Sequence, residues 1–588
     1  MMWKLTISNG TIRYIAGILL VAVGGVIYWA VSPESHPSQT ATLQAAEPKG
    51  TPLPPQELFT HWPDPAKQKP DLVLVITGQT YGYLQKCGCS YPQKGGLERR
   101  YNFIKSLEAR GWDVAAIDIG DVPKPLPYTP TREQTITKYA TAMQAMKMMN
   151  YRVTGVGYEE LAGPLLEMLA KYSLQPGNEL PKVINSNIAN PKDFEGFSGP
   201  MIRPAEILKA KSGLTVGITS VIGQKVIEKN PDNSVKFAER TDLELNKVLA
   251  QWKKDGDPMI KILLYSGPFD HVDPTTNKRV DAQAAAELFP DFNVIVSQTA
   301  ESEPPSLPKE VNNKRTMILQ VGQRGQNVGV VGIYQTKTGI QMYYQKVAMA
   351  EEFATPADKT KDHPILNLLQ DYSDTVKKQD YLSQMASRKK LHPVQAQNPT
   401  AKYAGDQTCV QCHANEHAIW SKSKHAHAYE ALEKIAAFPT GRNFDGECII
   451  CHTVGYAYRS GYLNAEKTPT LKNVQCESCH GPASLHVTEE IENLKKANPT
   501  HAMKKSLTPW KTGGQGHLPS PEKLAAYAAE PDQKKREAML TVQENEVMSR
   551  VFQVCFGCHD SDNDPKFKLE DYWKTINHTG FLKGPAKK

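Results

Sequence analysis

Eight of the ten cysteines fall into four copies of one pattern, CVQCH, CIICH, CESCH and CFGCH, all in the last third of the chain. Two thiols three residues apart, with an imidazole directly after the second, suit one particular chemistry. The sulfurs form thioether bonds to the vinyl groups of a haem, and the histidine gives its iron an axial nitrogen from the same turn. Cys409, Cys412 and His413 make the first unit, and Cys448, Cys451 and His452 the second. Cys476, Cys479 and His480 make the third, and Cys555, Cys558 and His559 the fourth. Half of a zinc site would also carry a CxxC pair but needs no histidine immediately after it. Every copy has one, so the pattern implies four covalent haems c.

Seven further histidines lie in the same region: His417, His425, His427, His486, His501, His517 and His578. Histidine is a common second axial ligand to haem iron. The candidates exceed four, so counting leaves open whether any iron keeps a free position. His425 and His427 compete. Two residues apart on a helix, they point roughly 200° away from each other, and only one can face a given iron. His486 follows His480 too closely to reach around the same macrocycle and is placed to ligate an adjacent haem. The two other cysteines, Cys87 and Cys89, form a C-G-C. A strained disulfide or a pair of buried thiols is the expectation; on a strand the two would share a face, so a soft-metal or redox site is the alternative.

The elements that must carry these groups fall into several segments. At 588 residues the chain is long enough for two or more domains. The net charge of +7 is not gathered into a run, which argues against a nucleic-acid partner. Lys4 and Arg13 precede the apolar run Tyr14 to Val31, whose length suits a single membrane span with the bulk of the chain outside. Residues 1–31 are therefore expected as a signal anchor in the cell inner membrane, with the rest in the periplasm. A cleaved signal peptide is the alternative, and both export the protein. Haem c maturation takes place outside the cytoplasm in bacteria, which agrees with export.

Residues 32–69 are rich in Pro, Ser, Thr and Ala and read as a linker. Over 70–352, DLVLVITG, DVAAIDIG, KVINSNI, LTVGITSVIG, IKILLYSG and NVIVSQT read as buried strands. LERRYNFIKSLEAR, REQTITKYATAMQAMKMM and YEELAGPLLEMLAKY between them read as helices, and NVGVVGIYQTKTGIQMYYQKV as a hairpin. Such alternation predicts an α/β domain. A helical linker is expected over 353–400, and a mainly helical or irregular haem domain over 401–588.

WSKSKHAHAYEAL, CIICHTVGY, NVQCESCHGPASLH, VCFGCH and YWKTINH together resemble the tetrahaem cytochrome c-554 family. The resemblance implies electron transfer through closely packed haems, three with two histidine ligands and one five-coordinate. It makes His425, His486 and His578 the distal ligands. TGQTYGYLQKCGCSYPQKGGLERR, DIGD, NSNI, GITSVIG and QVGQRGQNVGVVGIY resemble the 5′-nucleotidase-like metallophosphatases, which implies an α/β sandwich with a two-metal site. Here the ligand motifs are degenerate. The Asp-x-His position reads Gln79-Thr80-Tyr81, and Gly-Asn-His-Glu reads Gly157-Tyr158-Glu159-Glu160. The later histidines fall near Tyr265 and within Ser297 to Glu301, and only Asp121 survives.

The expected function is an exported multihaem c-type cytochrome working with redox partner proteins, more an electron carrier than an enzyme. The alternatives are a haem enzyme acting on small nitrogen or oxygen species at an open iron and, more weakly, a metal-dependent phosphoesterase. Fractionation with N-terminal sequencing checks the anchor. The chain is expected with the membrane, its residues 14–31 intact, and a soluble form starting near Glu47 would overturn that.

Overall fold

The computed structural model describes residues 56–86, 92–124, 131–175, 177–196, 199–230, 234–272, 281–301, 303–435 and 438–507. Towards the C-terminus it describes 519–520, 522–523, 526–527, 530, 533–560, 563–564, 567–576 and 578. The expected anchor at 1–31, Cys87, Cys89 and His517 lie outside these residues. Among the described residues no helix is long and apolar enough to cross a membrane.

Two sheets form the α/β part. The first runs, edge to edge, Gly339–Ala348, Asn327–Thr336, Leu72–Thr77, Val114–Asp118, Tyr151–Thr154, Lys182–Ile184 and Ile202–Arg203. The second runs Lys309–Val311, Thr316–Gln320, Val294–Gln298, Ile260–Pro268, Thr215–Ile222 and Ala205–Lys209. Most neighbours are parallel. The hairpin Asn327–Thr336/Gly339–Ala348 is antiparallel and pairs with Leu72–Thr77.

Strand alternation distributes the side chains among three apolar layers. Leu72, Leu74 and Ile76 meet Val216, Ile218, Ile262 and Leu264 between the sheets. Val73 and Val75 face the other way, onto helices Leu97–Ala109, Arg132–Met148 and Leu165–Ser173. Leu263, Tyr265 and Ile295 of the second sheet face helices Thr241–Lys254 and Ala282–Leu288. Strands buried on both faces read as continuous apolar runs, which is why the sequence displays them.

Two stretches expected as linkers pack against this sandwich. Phe59 and Trp62 are buried in the layer under the first sheet, and Trp62 stacks on Trp112 with ring centres 5.8 Å apart. In the 353–400 segment, helix Pro364–Gln379 sets Ile365, Leu366, Leu369, Tyr372 and Val376 into the same layer. These positions recur every three to four residues, so one apolar stripe faces the core although the helix is polar on average.

Three of the haem motifs lie on or beside short helices, and the fourth begins at the end of helix Val542–Phe556. Around them lie a cluster including Leu382, Tyr429, Ile449 and Tyr462 and another including Val547, Met548 and Leu569. The sandwich and this region fall within one compact unit.

Leu369, 1% exposed, tests whether the 353–400 helix is part of the sandwich core. Leu369→Ala is expected to cost about 2–5 kcal/mol in urea unfolding of the sandwich, the range for a large-to-small core change. A loss below about 0.5 kcal/mol, typical of surface sites, would contradict that packing.

Candidate haem-binding site

Each C-x-x-C-H occupies about one helical turn. His413 N–H donates to Cys409 O at 2.9 Å, and His559 N–H to Cys555 O at 2.8 Å. The second unit ends helix Gly446–His452, and the third is helix Cys476–His480. Positions three and four apart share a helix face, so two sulfurs and one imidazole converge on one flat partner. None of the eight cysteines is in a disulfide.

The tertiary fold then brings a second imidazole to three of the four units. Ring centres of His413 and His486 are 6.4 Å apart, those of His425 and His559 6.0 Å, and those of His480 and His578 6.1 Å. Two imidazoles bound to one metal from opposite sides, through nitrogen bonds of about 2 Å, place their ring centres about 6 Å apart. The three pairs therefore fit two-histidine ligation of a haem iron. Among the described residues no second imidazole faces His452 in this way.

Second partners orient the rings. Nδ1 of His452 meets Ala428 O, that of His480 meets Leu507 O at 2.8 Å, and that of His559 meets Asp564 at 2.9 Å. His578 Nδ1 meets Ile576 O at 2.9 Å. A proton held on Nδ1 leaves Nε2 as the metal-facing nitrogen. Burial, with the neighbouring His578, His413 and His486, pushes His480 down to about 4 despite the Leu507 carbonyl. Burial likewise lowers His425, His452 and His486. These rings are therefore neutral at physiological pH, as ligation requires.

The competing histidines are engaged elsewhere. His427 is exposed and meets Glu430 at 3.2 Å, His417 meets Asp406 at 3.0 Å, and His501 meets Glu490 at 2.7 Å.

Thiol contacts give the units a spatial order that differs from sequence order. Cys409 lies beside Cys476, and Cys451 beside Cys558, while Cys479 lies near Cys555 and Cys558. The units thus run first, third, fourth, second. Glu477, inside CESCH and 2% exposed, ties the first unit to the third. It accepts from Ala404 N–H at 2.9 Å, Gly405 N–H at 2.8 Å and Ala483 N–H at 2.8 Å. Gln475 adds a bond from Asp406 N–H at 2.9 Å.

The second unit is bound to the sandwich. Glu447 pairs with Lys138 and, at 3.5 Å, with Lys124. Asp445 caps the CIICH helix and receives Gln134 Nε2 at 3.1 Å and the Tyr372 hydroxyl at 3.3 Å. Burial pushes Glu447 up, but the two lysines outweigh it and hold the carboxyl below its usual range. Apart from the Asp445 cap, none of these contacts has a local signal, because the partners are far apart in sequence.

In the sandwich, the degenerate metal positions do converge. Asp121 accepts from Gln298 Nε2, which also donates to Ser266 at 3.2 Å, and from Glu159 N–H at 2.9 Å. Gln79 donates to the Tyr81 hydroxyl at 2.7 Å and to Thr299 O at 3.0 Å. Gly157 is required here, since a Cβ would lie 2.2 Å from an Asp121 oxygen. Burial pushes the Asp121 and Glu160 carboxyls up. Amides and a protonated phenol bonded to one another are poor ligands for two divalent cations, so this donor set does not fit a dinuclear centre. Gln298 has no signal in the sequence, because a glutamine at a strand end carries no motif.

The family model for cytochrome c554 and c-prime matches residues 408–481. Cytochrome c-554 of Nitrosomonas europaea is 25% identical over 206 residues, covering 29% of this chain and 83% of that protein. Its solved reduced form is 19% identical, with a TM-score of 0.18 over 31% of this chain and 82% of that one. A 5′-nucleotidase precursor from Thermus thermophilus is 19% identical, with a TM-score of 0.40 over 52% of this chain. This chain spans about three fifths (59%) of that nucleotidase. A calcineurin-like phosphoesterase of Bacillus subtilis is 14% identical, with a TM-score of 0.38 over 52% of this chain and 97% of that one.

Glu477→Ala is expected to leave three N–H donors without this acceptor, the two buried ones, of Gly405 and Ala483, at about 1–3 kcal/mol each. Thermal unfolding of the haem region should therefore fall by several degrees, and haem content should drop. Glu477→Gln keeps an acceptor oxygen and should lose less. Equal stability of all three proteins would remove Glu477 from this role.

Proposed function

We propose, on the premise that the C-terminal region is a cytochrome c554-like segment with covalently bound c-type haem, that it holds four haems and transfers electrons outside the cytoplasmic membrane. The observation that carries this reading is the set of three imidazole pairs about 6 Å apart, each uniting a C-x-x-C-H histidine with a remote one. His413, His452, His480 and His559 serve as proximal ligands, and His486, His425 and His578 as distal ones. Each haem supplies a one-electron iron couple. The chain's own part is to attach the macrocycles, keep the imidazoles neutral and hold neighbouring units in contact. Residues 14–31 anchor the chain, the bulk lies in the periplasm, and a soluble or membrane redox protein is the partner. Support for this placement comes from the apolar run and from the site of haem c attachment.

A second reading is favoured by His452, which no other imidazole faces among the described residues. An iron with one axial histidine keeps a free position for a small nitrogen or oxygen species. The phosphoesterase reading has no comparable support, because amides stand where metal ligands would be needed.

A pyridine haemochrome assay is expected to give four haems per chain, and a value near two would sink the tetrahaem reading. Carbon monoxide should shift roughly a quarter of the reduced haem absorption, as one open iron among four requires. His578→Ala should open a second iron and about double that shift. A wild-type spectrum indifferent to carbon monoxide would remove the enzymatic reading and leave the carrier.

A further inference from the structure

We propose that the sandwich is the positioning element for the haem carried by Cys448, Cys451 and His452, acting through Lys138 and Lys124 on Glu447 and through Gln134 and Tyr372 on Asp445. The inference rests on the tetrahaem reading. Three C-x-x-C-H histidines have an imidazole opposite them, so residues from two separate segments would hold each of those haems. Among the described residues no second imidazole faces His452, so a haem held there would take its place from helix Gly446–His452.

The sandwich grips that short helix, whereas the buried carboxylate of the third motif, Glu477, bonds within the haem region. Gln134 and Lys138 lie one turn apart on helix Arg132–Met148, so they present one polar face to the capping Asp445 and to Glu447. The Lys138 side chain is 7% exposed, that of Lys124 14% and that of Glu447 19%. A pair so withdrawn from water holds firmly while complete, and losing one partner leaves an uncompensated charge. Lys124 also stacks over Tyr83, with its Nζ 4.5 Å from the ring centre, which extends the contact to the loops of the degenerate metal cleft. Among the described residues the sandwich thereby takes the place beside His452 that a second histidine has at the other three units.

Charge beside a haem is felt as a change in its midpoint potential, because an added negative charge favours the ferric state. The full-length protein is titrated potentiometrically, with optical spectra and electron paramagnetic resonance read at each step. Glu447→Gln is expected to raise, and Lys138→Met to lower, the midpoint of the single high-spin haem. The three low-spin midpoints should stay put, and haem content should remain at four. Lys138→Arg should restore wild-type behaviour. Lys124→Met, acting over 3.5 Å, should give a smaller fall and decides the matter if Lys138→Met does not accumulate.

A high-spin haem indifferent to Glu447→Gln and to both lysine variants would overturn the clamp. So would a common shift of all four haems, which signals general loosening. A wild-type protein without a high-spin haem, or with a haem count other than four, would sink the tetrahaem reading itself.

Discussion

Facing imidazoles about 6 Å apart set the terms for the whole C-terminal region, because each pair joins segments that are remote in sequence. His413 of the first unit meets His486, which follows the third. His559 of the fourth meets His425, which precedes the second. His480 of the third meets His578 near the C-terminus. The crossings interlace, so each pair takes its two rings from separate stretches of chain. Short helices, a buried carboxylate at Glu477 and backbone acceptors on Nδ1 all serve this arrangement. Local propensity could not hold it, since isolated helices of this length are marginal in water.

The sandwich meets a different constraint. Its strands are buried on both faces, which makes it a stiff body independent of the haem region's own cores. Where a metal centre would need carboxylates and imidazoles, it carries Gln79, Tyr81, Ser266 and Gln298 bonded around Asp121. Those bonds satisfy buried polar groups that would otherwise be costly to leave unpaired. The cleft has become part of the framework. What the sandwich still offers is a rigid polar face, and Asp445 and Glu447 of the second unit are seated on it.

Much of this architecture is legible in the residues themselves. The four C-x-x-C-H units can be read because their chemistry is complete within one turn. The strands Leu72–Thr77, Thr215–Ile222 and Ile260–Pro268 can be read because double burial selects continuous apolar runs. Strand Tyr151–Thr154 escapes such a reading because four residues leave no pattern, and helix Ala282–Leu288 because its run of alanines marks no stripe. The 353–400 stretch reads as a connector since its apolar stripe is thin, yet Leu369 and Tyr372 are core residues.

By itself the sequence displays the four C-x-x-C-H units, with their eight cysteines and four adjacent histidines, and the alternating apolar runs of the α/β part, since each is written in neighbouring residues. It could not choose between His425 and His427, whose local contexts are nearly identical. Only the tertiary structure turns His425 toward His559 and leaves His427 in solvent beside Glu430. The order of the units, the tie from Glu477 to Ala404 and Gly405, and the pairing of Glu447 with Lys138 were likewise decided there. Each depends on the distance between groups far apart along the chain, and spacing along a sequence does not carry that distance once the chain folds back on itself.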